Sequence, residues 1–180
     1  MSPRPISRRS ELLTPAQARR LYAYNRRVFD RFVRRIRGLS WKDAKRKREI
    51  GHQSLFDTLV HILNVHEVWL GYILSGRGSD RELETLFRDG TRHPKDWAGF
   101  RAYHRRVWAI VDGYMARATS ARLAGPVHAF WMPGHYTASD ALMQTSFEQA
   151  HHLGEIIGAM WQQDLAPPEM TWIRVGSGGH

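Results

Sequence analysis

SFEQAHHLGEIIGAMWQQDLAPP, residues 146–168, is apolar or small over most of its length, yet it carries four titratable side chains within two helical turns. These are Glu148, His151, His152 and Glu155. Residues three or four apart share a face of an α-helix, so Glu148 and His152 are neighbours and Glu155 lies one turn beyond. A buried glutamate beside a buried histidine is costly unless the two are paired or bound to a cation. The segment therefore predicts a core helix that carries a polar site.

The composition limits both the class of protein and the class of site. A chain of 180 residues, 42% of them hydrophobic, can bury one sizeable core, so we expect a single domain over residues 1–180. The absence of cysteine excludes disulfides and thiolate ligands and leaves His, Asp and Glu to hold any metal. No apolar run reaches the roughly 18 residues of a membrane span, and the N-terminus lacks the apolar part of a signal peptide. We therefore expect a cytoplasmic protein with no membrane partner.

Apolar periodicity and capping residues predict four long helices and almost no strands. The first helix is expected from Pro15 to near Gly38, and the second starts after Ser54 and runs to Gly76. The third follows Pro94 and ends before Gly125, and the fourth is capped by Thr137 and reaches about Asp164. We expect a short helix around Arg81 to Phe87 and a loop over residues 128–136. The predicted fold class is all-α: a four-helix bundle with long connections over residues 14–168, with flexible N- and C-terminal tails.

The second predicted helix also places a polar residue on an apolar face. His61 shares that face with Thr58, Val65 and Val68. A single histidine in such a place is more often a hydrogen-bonded core residue than a metal ligand. The polar residues of the second and fourth helices are thus compatible with two interpretations, a hydrogen-bonded network or a metal site.

The chain resembles the DinB/YfiT-like family of metal-binding four-helix bundles in the order of its polar residues, with a histidine in the second helix and a Glu-x-x-x-His pattern in the fourth. The fourth helix of that family usually reads His-x-x-x-His-Arg-Gly-Gln-Ile, and the corresponding residues here are 148–156, with the register set by Gly154 and Ile156. The resemblance covers about residues 14–168. It implies that His61, Glu148 and His152 are the metal ligands, with Glu148 in place of the family's usual histidine.

The same resemblance implies roles for the two remaining polar residues of the fourth helix. Glu155 would orient a ligand, or else pair with His151 four residues back. His151 is a weaker candidate for acid/base catalysis, because it is turned about 100° from His152 on the helix. Glu155 and His151 are therefore the candidate catalytic residues.

A site of two imidazoles and one carboxylate is compatible with several divalent transition metals. Zinc with an activated water is the expected occupant, and iron, nickel or manganese are alternatives. By resemblance, members of the family are linked to thiol-dependent transferases, including those that use low-molecular-weight thiols, and to a mycothiol-dependent isomerase. The resemblance thus implies that the metal presents a low-molecular-weight thiol to a small electrophilic substrate. A metal-dependent hydrolase remains the alternative activity.

A different class of function is suggested by the basic segment 33–53, which contains eight Lys or Arg residues in a chain of net charge +10. Such a cluster could attract nucleic acid or another acidic surface. Acidic residues are interspersed in the segment, however, and no recognisable nucleic-acid reading motif accompanies it. Nucleic-acid binding is therefore the less favoured interpretation.

The fourth helix has a second apolar stripe, rich in small residues. Its members are Met143, Phe147, Ala150, Gly154, Ile157 and Trp161. This stripe either packs beneath the long loops of the same chain or contacts a second copy. The resemblance favours the second arrangement, so a homodimer is expected.

Overall fold

The computed structural model of the chain describes residues 13–77, 79, 81–84, 93–129 and 131–176. Four long helices form the bundle: α1 (Pro15–Arg37), α3 (Leu55–His66), α4 (Trp97–Ala116) and α6 (Ala138–Trp161). Two short helices, α2 (Trp41–Ala44) and α5 (Ser120–Ala124), lie in the connections. Strand β1 (Pro126–Ala129) pairs antiparallel with β2 (Met132–Thr137). The all-α fold class predicted from the sequence is confirmed.

The long helices begin at the capping residues that the sequence identifies. Thr14 and Thr137 each form a capping box, with Gln17 and Asp140 respectively at the third helical position. The side chain of Ser54 accepts a hydrogen bond from a backbone N–H in the first turn of α3. Each cap satisfies an otherwise unpaired donor and is worth about 1 kcal/mol. Local chemistry therefore fixes where these helices start.

The connections differ from the sequence-based expectation. The second helix is α-helical only to His66 and continues as a π-helical segment, Glu67–Ile73. The loop expected over residues 128–136 is largely the β1–β2 hairpin, whose strands are short and irregular in register. Such short strands carry too few alternating positions for periodicity to reveal them. The short helix expected around Arg81 to Phe87 is helical over 81–84, and its remainder lies outside the described residues.

Helix α3 lies at the centre of the bundle and packs against α6, α4 and α1. The largest fully buried side chains of these helices form the core: Phe29, Phe32, Phe56, Leu59, Leu63, Phe100, Trp108 and Tyr114. The apolar character of α3 on most of its surface is explained by this central position. Among the described residues, no helix combines the length and hydropathy needed to cross a membrane. The expected cytoplasmic location stays a prediction.

A layer of buried polar groups joins α1 to α6. The Oη of Tyr22 donates to the carbonyl oxygen of Leu142 at 3.1 Å, and Nδ2 of Asn25 donates to Oγ of Ser146 at 2.9 Å. The Nε2 of Gln149 donates to the carbonyl oxygen of Asn25 at 2.8 Å. Buried polar groups are costly when unpaired, so these bonds select one rotation of α6 against α1. That rotation turns His152 towards α3.

The chain after α6 is held by arginines of α1. The side chains of Arg27, Arg31 and Arg35 donate to the carbonyl oxygens of Val175, Glu169 and Ala166, in that order. The ring of Tyr24 packs 4.8 Å from that of Trp172, and Val175 is buried. Packing of the described chain therefore continues along α1 to Val175, and part of the basic face of α1 is used inside the molecule.

His66 is fully buried at the end of α3. Its Nδ1 lies 2.9 Å from the carbonyl oxygen of Ile62, and its Nε2 has no hydrogen-bond partner among the described residues. Because a carbonyl oxygen can only accept, Nδ1 carries the proton of a neutral ring. Burial lowers the pKa of His66 from 6.5 to about 4. The folded protein therefore keeps this imidazole neutral at pH 7.

This depressed pKa predicts a loss of stability in mild acid. Between pH values of about 6.5 and 4 the unfolded chain binds a proton at His66 that the folded chain does not, so stability falls as the pH falls. At a pH of about 5 the loss from this residue is about 2 kcal/mol. We expect the free energy of unfolding of His66→Leu, measured by urea denaturation, to fall less between pH 7 and 5 than that of the wild type. An identical pH dependence in both proteins would contradict this assignment.

Candidate metal centre

Three histidines from separate parts of the chain meet between α3 and α6. They are His61 on α3, His152 on α6, and His52 in the loop that precedes α3. One ring nitrogen of each lies within 4.8 Å of those of the other two. The rings of His52 and His61 stack at 3.6 Å, and the ring of His152 lies edge-on to both, at 5.0 and 4.6 Å. Three imidazoles this close are a donor set that suits zinc and other transition metals.

The loop that carries His52 is fixed by its own backbone and by α6. Gln53 has a φ of 62°, and the carbonyl oxygen of His52 accepts from the N–H of Ser54 at 2.7 Å. The guanidinium of Arg48 donates to Oε1 of Gln163 beyond the end of α6, at 2.9 Å. A left-handed conformation is uncommon for a residue other than glycine, and such conformations cluster at functional sites. The loop thus turns back at Gln53 and presents His52 to the bundle.

Glu155 connects α6 to the same loop. Its Oε2 lies 2.8 Å from Nδ1 of His152, and its Oε1 accepts from the backbone N–H of Gly51 at 3.3 Å. Since an ionised carboxylate only accepts, Nδ1 of His152 is the protonated nitrogen and Nε2 keeps its lone pair for a ligand. A Cβ atom at Gly51 would stand 3.0 Å from Oε1, so a glycine allows this close approach.

The electrostatics of the cluster favour neutral rings at His52 and His61 beside an ionised carboxylate at Glu155. Burial, with a smaller contribution from the charges of His52 and His152, lowers the pKa of His61 from 6.5 to about 3. Burial and the charge of His152 likewise lower the pKa of His52. Burial opposes ionisation of Glu155, but hydrogen bonds from His152 and Gly51 outweigh it, and its pKa lies below the ordinary value. Neutral imidazole is the form that binds metal.

The structure brings the predicted ligands together in part. His61 and His152 are both in the cluster. The Oε2 of Glu148 lies 3.4 Å from Nε2 of His152, but Glu148 is not among the three residues whose ligand atoms all lie within 4.8 Å of one another. Its Oε1 accepts from Nε2 of Gln144 at 2.8 Å. The ligand set of His61, Glu148 and His152 stays a prediction.

The two predicted catalytic residues lie on the outer side of His152. Glu155 contacts His152 directly. His151 is 67% exposed, and its Nε2 lies 3.8 Å from Oε1 of Glu155. The atoms of His151, His152 and Glu155 form a second close group on α6, which is more exposed than the three-histidine cluster. Catalytic roles for Glu155 and His151 stay predictions.

His52 was not identified from the sequence. Helical periodicity can assign residues to a face of a helix, but it is silent about a loop, and His52 lies in a basic loop that reads as a solvated connection. One feature of the sequence could have identified His52: it lies two residues before Ser54, the N-cap of α3. A residue at that position lies beside the first turns of the helix that carries His61. Histidines just before the start of a histidine-bearing helix can therefore reach the same site.

Comparison with protein-family models gives a match to the DinB superfamily over residues 24–156. The matched region contains all three clustered histidines, together with Glu148 and Glu155. Comparison with curated protein sequences gives no match. The family match covers well over half of the chain and confirms the resemblance seen in its motifs, so the chain belongs to the DinB superfamily.

Proposed function

We propose that this chain is a mononuclear metal-dependent enzyme whose ion is held by His52, His61 and His152. The proximity of three imidazole nitrogens from a loop and two helices is the observation that carries the proposal. A structural zinc site usually has four protein ligands, whereas three protein ligands leave a position open for a substrate. Zinc is the favoured ion because three neutral imidazoles form one of its catalytic donor sets, and iron, nickel and manganese are the alternatives.

The chain's own residues have distinct tasks in this proposal. A divalent ion at the site would lower the pKa of a coordinated water or thiol and so supply a nucleophile at neutral pH. Glu148 is placed to accept the proton of that nucleophile, because its Oε2 lies beside Nε2 of His152 and its other oxygen is fixed by Gln144. Glu155 keeps His152 and the Gly51 backbone in place.

Two candidate reactions, thiol transfer and hydrolysis, differ in the nucleophile that they use. Because the chain contains no cysteine, a thiol would have to come from a small molecule. In transfer, the thiol proton would pass to Glu148, the sulfur would bond to an electrophilic carbon of the substrate, and the group displaced from that carbon would leave with the bonding electrons and take the proton from Glu148. In hydrolysis, a water oxygen would take the place of the sulfur, and the displaced group would leave in the same way. Similarity to the DinB family supports the first reaction, and screening both with mass-spectrometric product analysis distinguishes them.

The first prediction from the proposed function concerns the metal ligands. Untagged protein purified without chelators or nickel resin should contain about one equivalent of a transition metal by plasma mass spectrometry. We expect His52→Ala and His61→Ala to lose it, because each removes one of three ligands. Glu148→Gln should retain the metal but lose turnover, and His128→Ala, which changes an exposed histidine on β1, should retain both.

Two other outcomes of this experiment are informative. Loss of metal in Glu148→Gln with retention in His52→Ala would support the ligand set implied by the family motif instead. A wild-type protein that stays metal-free when offered zinc, iron, nickel and manganese would refute the metalloenzyme proposal, and the histidine cluster would then be a hydrogen-bonded network.

The second prediction separates Glu155 from its neighbour His151. Removing the carboxylate that orients a metal-binding histidine typically lowers metal affinity about 10- to 100-fold. We therefore expect Glu155→Gln to bind zinc about 10- to 100-fold more weakly, in competition with a chelating dye. His151→Gln is the matched control and should bind as the wild type does. Equal weakening in both variants would place His151 in the site as well.

The expected homodimer is also proposed, through the outer face of α6. Phe147 and Trp161 are 62% and 68% exposed there, and the space beside Gly154 and Gly158 is open. Phe147 and Trp161 each lie seven residues from Gly154, about 10 Å along the helix. Two copies of α6 that cross antiparallel at Gly154 would therefore place Phe147 of one protomer against Trp161 of its partner.

The third prediction tests this arrangement. Light scattering coupled to gel filtration should give the mass of two chains for the wild type. Phe147→Glu and Trp161→Glu should shift the protein to one chain, because each buries a charge at a symmetric apolar contact. Ile173→Glu, which changes an apolar residue exposed on another surface, is the control. A wild-type monomer would contradict the proposal.

A further inference from the structure

A second cleft lies beside the π-helical segment Glu67–Ile73, and none of the three clustered histidines lines it. Its volume is about 660 Å³, and it runs between this segment and α4. Leu70, Ala109 and Ile110 form an apolar wall. We name it the cationic cleft after its three arginines, Arg77, Arg117 and Arg122.

The arginines of the cationic cleft make no ion pair with a carboxylate among the described residues. The one acidic residue in its lining, Glu67, has a side chain that is only 5% exposed. Its two oxygens already bind the Oη of Tyr103 at 2.9 Å and the guanidinium of Arg106 at 3.1 Å. The described lining therefore has an excess of positive charge that no carboxylate in the described part of the chain neutralises.

The lining also contains a buried hydroxyl, that of Tyr114, without a well-aligned hydrogen-bond partner among the described residues. Tyr114 is 2% exposed, and its Oη makes no hydrogen bond among the described residues. The guanidinium of Arg122 lies over the ring, 4.5 Å from its centroid, so it acts on the hydroxyl as a nearby charge rather than as a well-aligned donor. Burial raises the pKa of Tyr114, which keeps the hydroxyl protonated and able to donate. A buried hydroxyl left unpaired costs free energy that a bound acceptor would recover.

Two glycines and an irregular helix border the cleft. Arg117 folds back along α4, with its guanidinium nitrogens 3.7 Å from the place that a Cβ of Gly113 would occupy. Gly71 lies on the opposite side, in the π-helical segment. π-Helical turns are rare in proteins and frequently occur at functional sites. An added Cβ at Gly71 would stand 3.5 Å from the side chain of Ile110, so this glycine lets the π-helical segment pack closely against α4 at the wall of the cleft.

We propose that the cationic cleft binds a small anionic molecule with a carboxylate or phosphate group and a short apolar body. Guanidinium groups recognise both anions through paired hydrogen bonds, and the Oη of Tyr114 adds one donor. The volume lies within the usual range for small-molecule sites, and the wall of Leu70 and Ile110 suits an aliphatic portion. The inference does not depend on the metal centre.

The test is isothermal titration calorimetry on the full-length protein with four probes: inorganic phosphate, pyrophosphate, hexanoate and adipate. At least one should bind saturably at about one molecule per chain, and more weakly as salt is added. Comparing the affinities of the phosphate probes with those of the carboxylate probes shows which type of anion the cleft binds. Comparison of hexanoate with adipate shows whether an apolar end is preferred over a second charge.

Variants locate the binding site. Arg117→Gln and Arg122→Gln should each weaken binding about tenfold, since each removes a charge-assisted hydrogen bond. Arg105→Gln is the matched control, because it changes an exposed arginine of α4 outside the cleft. Tyr114→Phe should weaken binding while preserving the fold, whereas a purely structural hydroxyl would leave affinity unchanged. His61→Ala should bind as the wild type does, which separates this proposal from the metal centre.

Two results would overturn the inference. One is that no probe binds saturably to a protein whose thermal unfolding shows it to be folded. The other is that Arg105→Gln weakens binding as much as Arg117→Gln and Arg122→Gln do, because a general attraction to a basic surface would behave in that way.

Discussion

The carboxylate of Glu155 is the contact on which the arrangement of the candidate metal centre depends. One oxygen orients His152, and the other holds the backbone of Gly51, next to His52. The two ends of the site come from parts of the chain about one hundred residues apart, so a single group that binds both limits their relative motion. Its charge also favours the protonated Nδ1 of His152, which leaves the lone pair of Nε2 available to a ligand. Local helix geometry on α6 is thereby coupled to the conformation of a distant loop.

That coupling works only if α6 is rotated correctly in the bundle. The hydrogen bonds of Asn25 with Ser146 and Gln149 secure this rotation from the side of α1. Residues 146, 149 and 153 face inward on one side of α6, while His152 lies on the side nearer α3. The polar layer costs apolar burial, but it discriminates among rotations that an apolar stripe alone would allow. The candidate metal centre therefore depends on buried polar contacts that fix the rotation of α6.

The sequence predicts the helices well because their signals are local. Thr14, Ser54 and Thr137 cap helices through neighbours three residues away, and periodicity places His61 and His152 on inward faces. The sequence does not reveal His52, since its approach depends on how a loop closes in three dimensions. The family motif implies Glu148 as a ligand by position, whereas the structure groups a loop histidine, and not Glu148, with the other two. A departure at one ligand position can be offset from another part of the chain.

The net charge of +10 is easier to understand from where the arginines and lysines lie than from their number. Within the basic segment 33–53, Lys45 pairs with Asp57, Arg46 with Asp43, and Arg48 with Gln163. On α1, arginines hold the backbone that follows α6. Several cations that suggested nucleic-acid binding therefore have partners inside the molecule, and that interpretation stays untested. The arginines of the cationic cleft differ, because no described carboxylate pairs with them. Unpaired cations beside a cleft are better evidence for an anionic ligand than a larger number of cations already bound to the protein itself.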